Sequence, residues 1–69
     1  MWIKTVSGRG MIIASKIEAI WIDGENRVIV KTDSGDEWVV GKYESEEKAK
    51  NFLLSLSKTI ERYLGGGNE

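Results

Sequence analysis

The chain has 69 residues, ten basic and eleven acidic side chains, a net charge of -1, and neither cysteine nor histidine. A chain this short supports one domain, which buries only about 60% of the surface its unfolded form exposes, and it must do so without disulfides or a histidine or cysteine metal site. The nearly balanced, interspersed charge predicts no long-range attraction to nucleic acid or to an anionic membrane.

Three tryptophans are the main apolar resource, each able to bury roughly 150 to 250 Å². The longest apolar runs, residues 11–14 and 19–22, fall far short of the roughly 20 residues a membrane-spanning helix needs. Met1-Trp2-Ile3-Lys4 lacks the apolar core of a signal peptide. The expected location is the cytoplasm, with no membrane partner and no cofactor, and the lack of cysteine fits a reducing compartment.

In chain order, residues 2–6 are aromatic and β-branched, and Ser7-Gly8-Arg9-Gly10 follows as a turn. Residues 11–14 complete a hairpin whose register depends on whether its loop holds two residues or three. Polar residues on either side of Ile17 predict a bulge, a bend or a single-turn detour across residues 15–18. A meander is expected from Ala19 to Tyr43. With Asn26 left-handed, Gly24-Glu25-Asn26 forms a loop that sets Asp23 opposite Arg27, Ile22 opposite Val28, Trp21 opposite Ile29 and Ile20 opposite Val30. With Gly35 left-handed, Asp33-Ser34-Gly35 sets Thr32 opposite Asp36, Lys31 opposite Glu37, Val30 opposite Trp38, Ile29 opposite Val39 and Val28 opposite Val40.

These two registers agree on how the side chains divide, since a slip of one residue would exchange the faces. Ile20, Ile22, Val28, Val30, Trp38 and Val40 fall on one face. Ala19, Trp21, Ile29 and Val39 fall on the other, with the pairs Asp23–Arg27 and Lys31–Glu37 around them. Ser45 then reads as a helix N-cap, with Glu46 and Glu47 in the favoured first turn. Ala49, Phe52, Leu53, Leu56, Ile60, Tyr63 and Leu64 form one apolar stripe, and Leu54 points away from it. Gly65-Gly66-Gly67 ends the helix, so the domain is expected to span residues 1–64 with a flexible tail at 65–69. The fold expected is α+β: an antiparallel meander of four to five strands with one C-terminal helix packed on the all-apolar face.

The segments Ile20-Trp21-Ile22-Asp23-Gly24, Arg27-Val28-Ile29-Val30, Thr32-Asp33-Ser34-Gly35-Asp36-Glu37 and Tyr43-Glu44-Ser45-Glu46-Glu47-Lys48-Ala49 are similar to those of short uncharacterised proteins encoded by Gram-positive bacteria and their phages. The resemblance implies a small sheet with one C-terminal helix. It transfers no activity and no functional residue.

Asp33, Asp36 and Glu37 offer carboxylates for a hard cation, but a calcium loop needs about six to eight ordered oxygens. A turn in which Asp33 caps its own loop and Glu37 faces Lys31 accounts for them, and the same reading serves Asp23-Gly24-Glu25-Asn26. A strand rather than a helix follows Ser7-Gly8-Arg9-Gly10, so that stretch is a turn and not a phosphate cradle. Catalysis lacks histidine, cysteine and any nucleophile elbow, and a fold this small has little room for a pocket of about 300 to 1,000 Å³. The expectation is a non-enzymatic interaction module. Trp21, Ile29 and Val39, rimmed by Lys31 and Arg27, would bury against a second copy or another protein, unless the first hairpin folds over them. The alternative is a single-stranded nucleic-acid binder using Trp2, Lys4, Trp21 and Lys31.

Overall fold

The computed structural model describes residues 1–63. Five strands and a helix follow one another: β1 (Trp2–Lys4), β2 (Met11–Ile13), β3 (Ile17–Ile22), β4 (Arg27–Thr32), β5 (Glu37–Lys42) and α1 (Glu46–Glu61), with a 3-10 turn at Ala14–Lys16 between β2 and β3. The class is α+β with antiparallel pairing, but the strands form two sheets rather than a single meander: β1 with β2, and β3-β4-β5 in that order. The expected detour at residues 15–18 is where they part. The chain there makes the 3-10 turn and then a bulge between Ile17 and Ala19.

β1 is shorter than expected, ending at Lys4, and β2 ends at Ile13 because Ala14 opens the 3-10 turn. The hairpin pairs Trp2 with Ile13, Ile3 with Ile12 and Lys4 with Met11. Its closing bond runs from the Thr5 N–H to the Gly10 carbonyl (3.0 Å), which leaves Val6, Ser7, Gly8 and Arg9 in the loop, longer than either length expected.

Both meander turns fold as the sequence predicts. Asn26 has φ +60° and Gly35 φ +92°, and the bonds Asp23 N–H to Arg27 C=O (3.0 Å) and Thr32 N–H to Asp36 C=O (2.9 Å) close the two loops. Trp21↔Ile29, Ile20↔Val30, Ile22↔Val28, Lys31↔Glu37, Val30↔Trp38 and Ile29↔Val39 are all in register. One expected pair is corrected: Val28 lies opposite Gly41, not Val40. Val40 is the extra residue of a bulge, and Gly41 faces α1. A Cβ at position 41 would stand 2.7 Å from Tyr43 Cε2 and 3.1 Å from two carbons of the Phe52 ring. Only glycine lets the helix approach that closely.

The loop of the first hairpin and that of β4-β5 use one local device. In Thr5-Val6-Ser7-Gly8 and Thr32-Asp33-Ser34-Gly35 the threonine carbonyl accepts from the glycine N–H (3.0 and 2.9 Å). The threonine and serine hydroxyl oxygens lie 3.2 and 2.8 Å apart, and both threonines are buried. Asp33 does not cap its loop. Its carboxylate is 3.8 Å from Lys16 Nζ, and the capping falls to Thr32 and Ser34.

A single core joins the two sheets and the helix: Ile3, Ile12, Ala14, Val28, Val30, Val40, Ala49, Leu56 and Ile60. Complete burial of Val28 and Val30 is worth about 1.5 to 3 kcal/mol each. Ser45 caps α1, its Oγ accepting from the Lys48 N–H at 3.2 Å. Leu54 is exposed, as its position off the stripe implies, but Tyr63, expected in the stripe, is exposed as well. Leu64 and the glycine tail lie outside the described residues.

Candidate functional site

Ile3 and Ile12 belong to the core that contains Val28, Val30 and Val40, so the first hairpin packs on the same side of the β3-β4-β5 sheet as α1. It does not fold over Trp21. The opposite face of that sheet is built by register alone, in three rows. Trp21, Ile29 and Val39 form the middle row, running across all three strands. Ala19, Lys31 and Glu37 form the row on one side, and Asp23, Arg27 and Lys42 the row on the other.

Ile29 is only 7% exposed, although it takes no part in the core. As the middle residue of its row it is flanked by the larger Trp21 and by Val39, each half-buried, and directly opposed side chains on a sheet face stand close enough to shield one another. The charged rows are ordered by ion pairs. Arg27 donates from Nε to Asp23 Oδ2 at 2.6 Å and places Nη2 2.6 Å from the same oxygen, while its backbone N–H donates to Oδ1 at 3.0 Å. Hydrogen bonding from the backbone of Arg27, chiefly, and of Glu25, together with the guanidinium, holds the Asp23 carboxyl below its ordinary value. Lys31 lies opposite Glu37 in register, but its Nζ is paired with Glu18 Oε1 at 3.9 Å. Sequence reasoning missed Glu18 because the bulge at that residue carries it out of simple alternation.

The five side chains expected at an interaction surface (Trp21, Ile29, Val39, Lys31 and Arg27) are therefore brought together on one face. Those expected for the nucleic-acid alternative are not. Trp2 and Lys4 lie on the hairpin, both exposed, whereas Trp21 and Lys31 lie on the other sheet.

Trp38 was expected in the core beside Val30 and is instead 40% exposed. It lines an open cavity of about 320 Å³ where the hairpin meets the end of the larger sheet, with Trp2, Met11, Lys16, Asp33 and Asp36. Trp38 sits on an edge strand near the junction of the two sheets, and the hairpin covers it only in part. A second groove, of about 290 Å³, lies beside β3 and is lined by Ile17, Ile20, Ile60, Glu18 and Glu61 among others.

Among the described residues, no three acidic side chains come together as a metal site, and no helix is long and apolar enough to cross a membrane. Asp36 Oδ2 accepts from Ser34 Oγ at 3.0 Å as part of the turn. The fold and face define a small α+β domain with an apolar band across one side of its sheet. Comparison with protein-family models, with curated proteins and with solved structures yields no match.

Proposed function

We propose that this chain is a non-enzymatic interaction module whose working surface is the sheet face centred on Trp21, Ile29 and Val39. The observation that carries the reading is the continuous Trp21–Ile29–Val39 row, which lies on the side of the sheet away from the helix and the hairpin. An apolar band that includes an aromatic residue, with charged residues on either side, is the composition of an interface core with a polar rim. Part of the rim is paired within the chain, Asp23 with Arg27 and Glu18 with Lys31. The occupant is a second copy or another protein.

Sedimentation velocity of the wild type and of Trp21→Asp tests the self-associating form. A wild-type dimer that the substitution dissociates, with unchanged far-ultraviolet circular dichroism, supports it. Identical monomers would sink it. Loss of folded structure in Trp21→Asp would show that Trp21 serves stability instead.

A further inference from the structure

The backbone bonds that close the two meander turns set the phase of each ladder, because bonded and non-bonded pairs alternate along antiparallel strands. The Asp23 N–H to Arg27 C=O bond makes Trp21↔Ile29 and Ala19↔Lys31 bonded pairs. The N–H and C=O groups of Ile20 and Ile22 then point away from β4, off the edge of the sheet. On the other side, the Thr32 N–H to Asp36 C=O bond makes Val30↔Trp38 a bonded pair and turns Val39 outward from β5. The outward Val39 carbonyl accepts from the Val6 N–H at 2.8 Å. One edge of the sheet is thus partly closed by the hairpin loop. On the β3 edge, among the described residues, no backbone bond from another segment reaches Ile20 or Ile22.

Protein edges are ordinarily blunted by lysine, proline, a bulge or a covering segment. Beyond the bulge at Glu18, the stretch Ala19-Ile20-Trp21-Ile22 carries no charge and no proline.

We propose that β3 is the pairing edge of a homodimer, in which two copies align β3 antiparallel about a two-fold axis at Trp21 and join their sheets into one. This rests on the interaction reading above for Trp21 alone, since edge pairing brings the two Trp21-bearing strands together and leaves Ile29 and Val39 unburied by the second copy. In that register each Ile20 exchanges both backbone bonds with Ile22 of the second copy. The two Trp21 side chains face each other as a non-bonded pair, the position where opposing side chains come closest. Ala19 meets Asp23 and Glu18 meets Gly24, so no like charges oppose. Shifting the axis to Ile20 sets Ile22 against Glu18, and shifting it to Ile22 sets Trp21 against Asp23. The Ile20-centred register also matches the outward groups and sets Trp21 opposite Ala19, but only the Trp21-centred one of the three keeps Ile20, Trp21 and Ile22 all opposite apolar side chains.

The natural absence of cysteine makes a clean test possible. Trp21→Cys and Val39→Cys are each oxidised with diamide, alongside sedimentation equilibrium and amide hydrogen exchange of the wild type over a range of concentrations. Edge pairing brings the position-21 Cα atoms to about 4.5 Å, within disulfide reach, and leaves position 39 two strands away. The expected result is a concentration-dependent dimer in which Trp21→Cys crosslinks and Val39→Cys does not. The Ile20 and Ile22 amides should exchange about tenfold more slowly as the dimer forms. Equal crosslinking of the two variants would overturn edge pairing in favour of face-to-face burial, leaving the interaction role intact. A wild type that stays monomeric throughout would overturn the homodimer and leave the face to a different protein.

Discussion

The Tyr43 ring occupies the space that a side chain on Gly41 would need: a Cβ there would stand 2.7 Å from Tyr43 Cε2. Tyr43 in turn lies against Phe52 of α1, ring centroids 5.4 Å apart and tilted by 37°. The last strand and the helix are seated on each other through this contact, and burial there raises the Tyr43 phenol above its ordinary pKa of 10.0.

Gly41→Ala should therefore destabilise the domain by about 1 to 3 kcal/mol, the usual cost of overpacking. Urea unfolding monitored by tryptophan fluorescence measures it. An unchanged midpoint would show that Tyr43 and Phe52 shift aside freely, and that the close approach does not hold the helix in place.

Gly35→Ala should cost about 1 to 2 kcal/mol, because a Cβ is disfavoured at φ +92°. Asn26→Gly, at φ +60°, should leave stability nearly unchanged. If the two substitutions behaved alike in thermal unfolding, the left-handed turns would not be what sets the meander register.

Thr32→Val keeps the volume of a buried side chain and removes the hydroxyl shared with Ser34 and the Asp36 carbonyl. A loss of about 0.5 to 1.5 kcal/mol is expected, the net worth of an ordinary hydrogen bond. Thr5→Val should give a loss of the same order, since the hydroxyl of Thr5 bonds both the N–H and the C=O of Gly10.

Acid should weaken the β3-β4 turn. The folded Asp23 pKa lies below its ordinary 3.8, so its contribution to stability is fully present above about pH 4 and disappears as pH falls through the lowered value. Urea midpoints taken downward from pH 5 should fall less steeply in Asp23→Asn than in the wild type. Parallel curves would mean that the Arg27 contacts do not stabilise the ionised carboxyl.

Much of the larger sheet was legible because its instructions are local. Asn26 and Gly35 sit where a left-handed residue ends a short loop, and each loop sets the pairing of the strands it joins. Two such registers place Trp21, Ile29 and Val39 in one row whatever else the chain does. The helix was legible for a similar reason, in Ser45 and the spacing of Ala49, Leu56 and Ile60. Val40 and Trp38 were read less well. Alternation assigns every strand residue a face, but the bulge at Val40 shifts the pairing of β5 so that Gly41, not Val40, lies opposite Val28, and the exposure of Trp38 depends on where a separate hairpin stops.

By itself, then, the sequence determined the elements, the meander turns and the composition of both faces, since short-range backbone preferences and a period of two decide these. The tertiary structure decided that the first hairpin joins the core beside the helix and leaves Trp21 half-buried on the opposite face. It also decided that Val6 bonds the β5 edge at Val39, while among the described residues no backbone bond from another segment reaches Ile20 or Ile22 on the β3 edge. Those outcomes rest on contacts between residues far apart in the chain, Ile3 and Ile12 with Val28 and Val30, and Val6 with Val39. No local pattern encodes which of the possible long-range partners such groups will find.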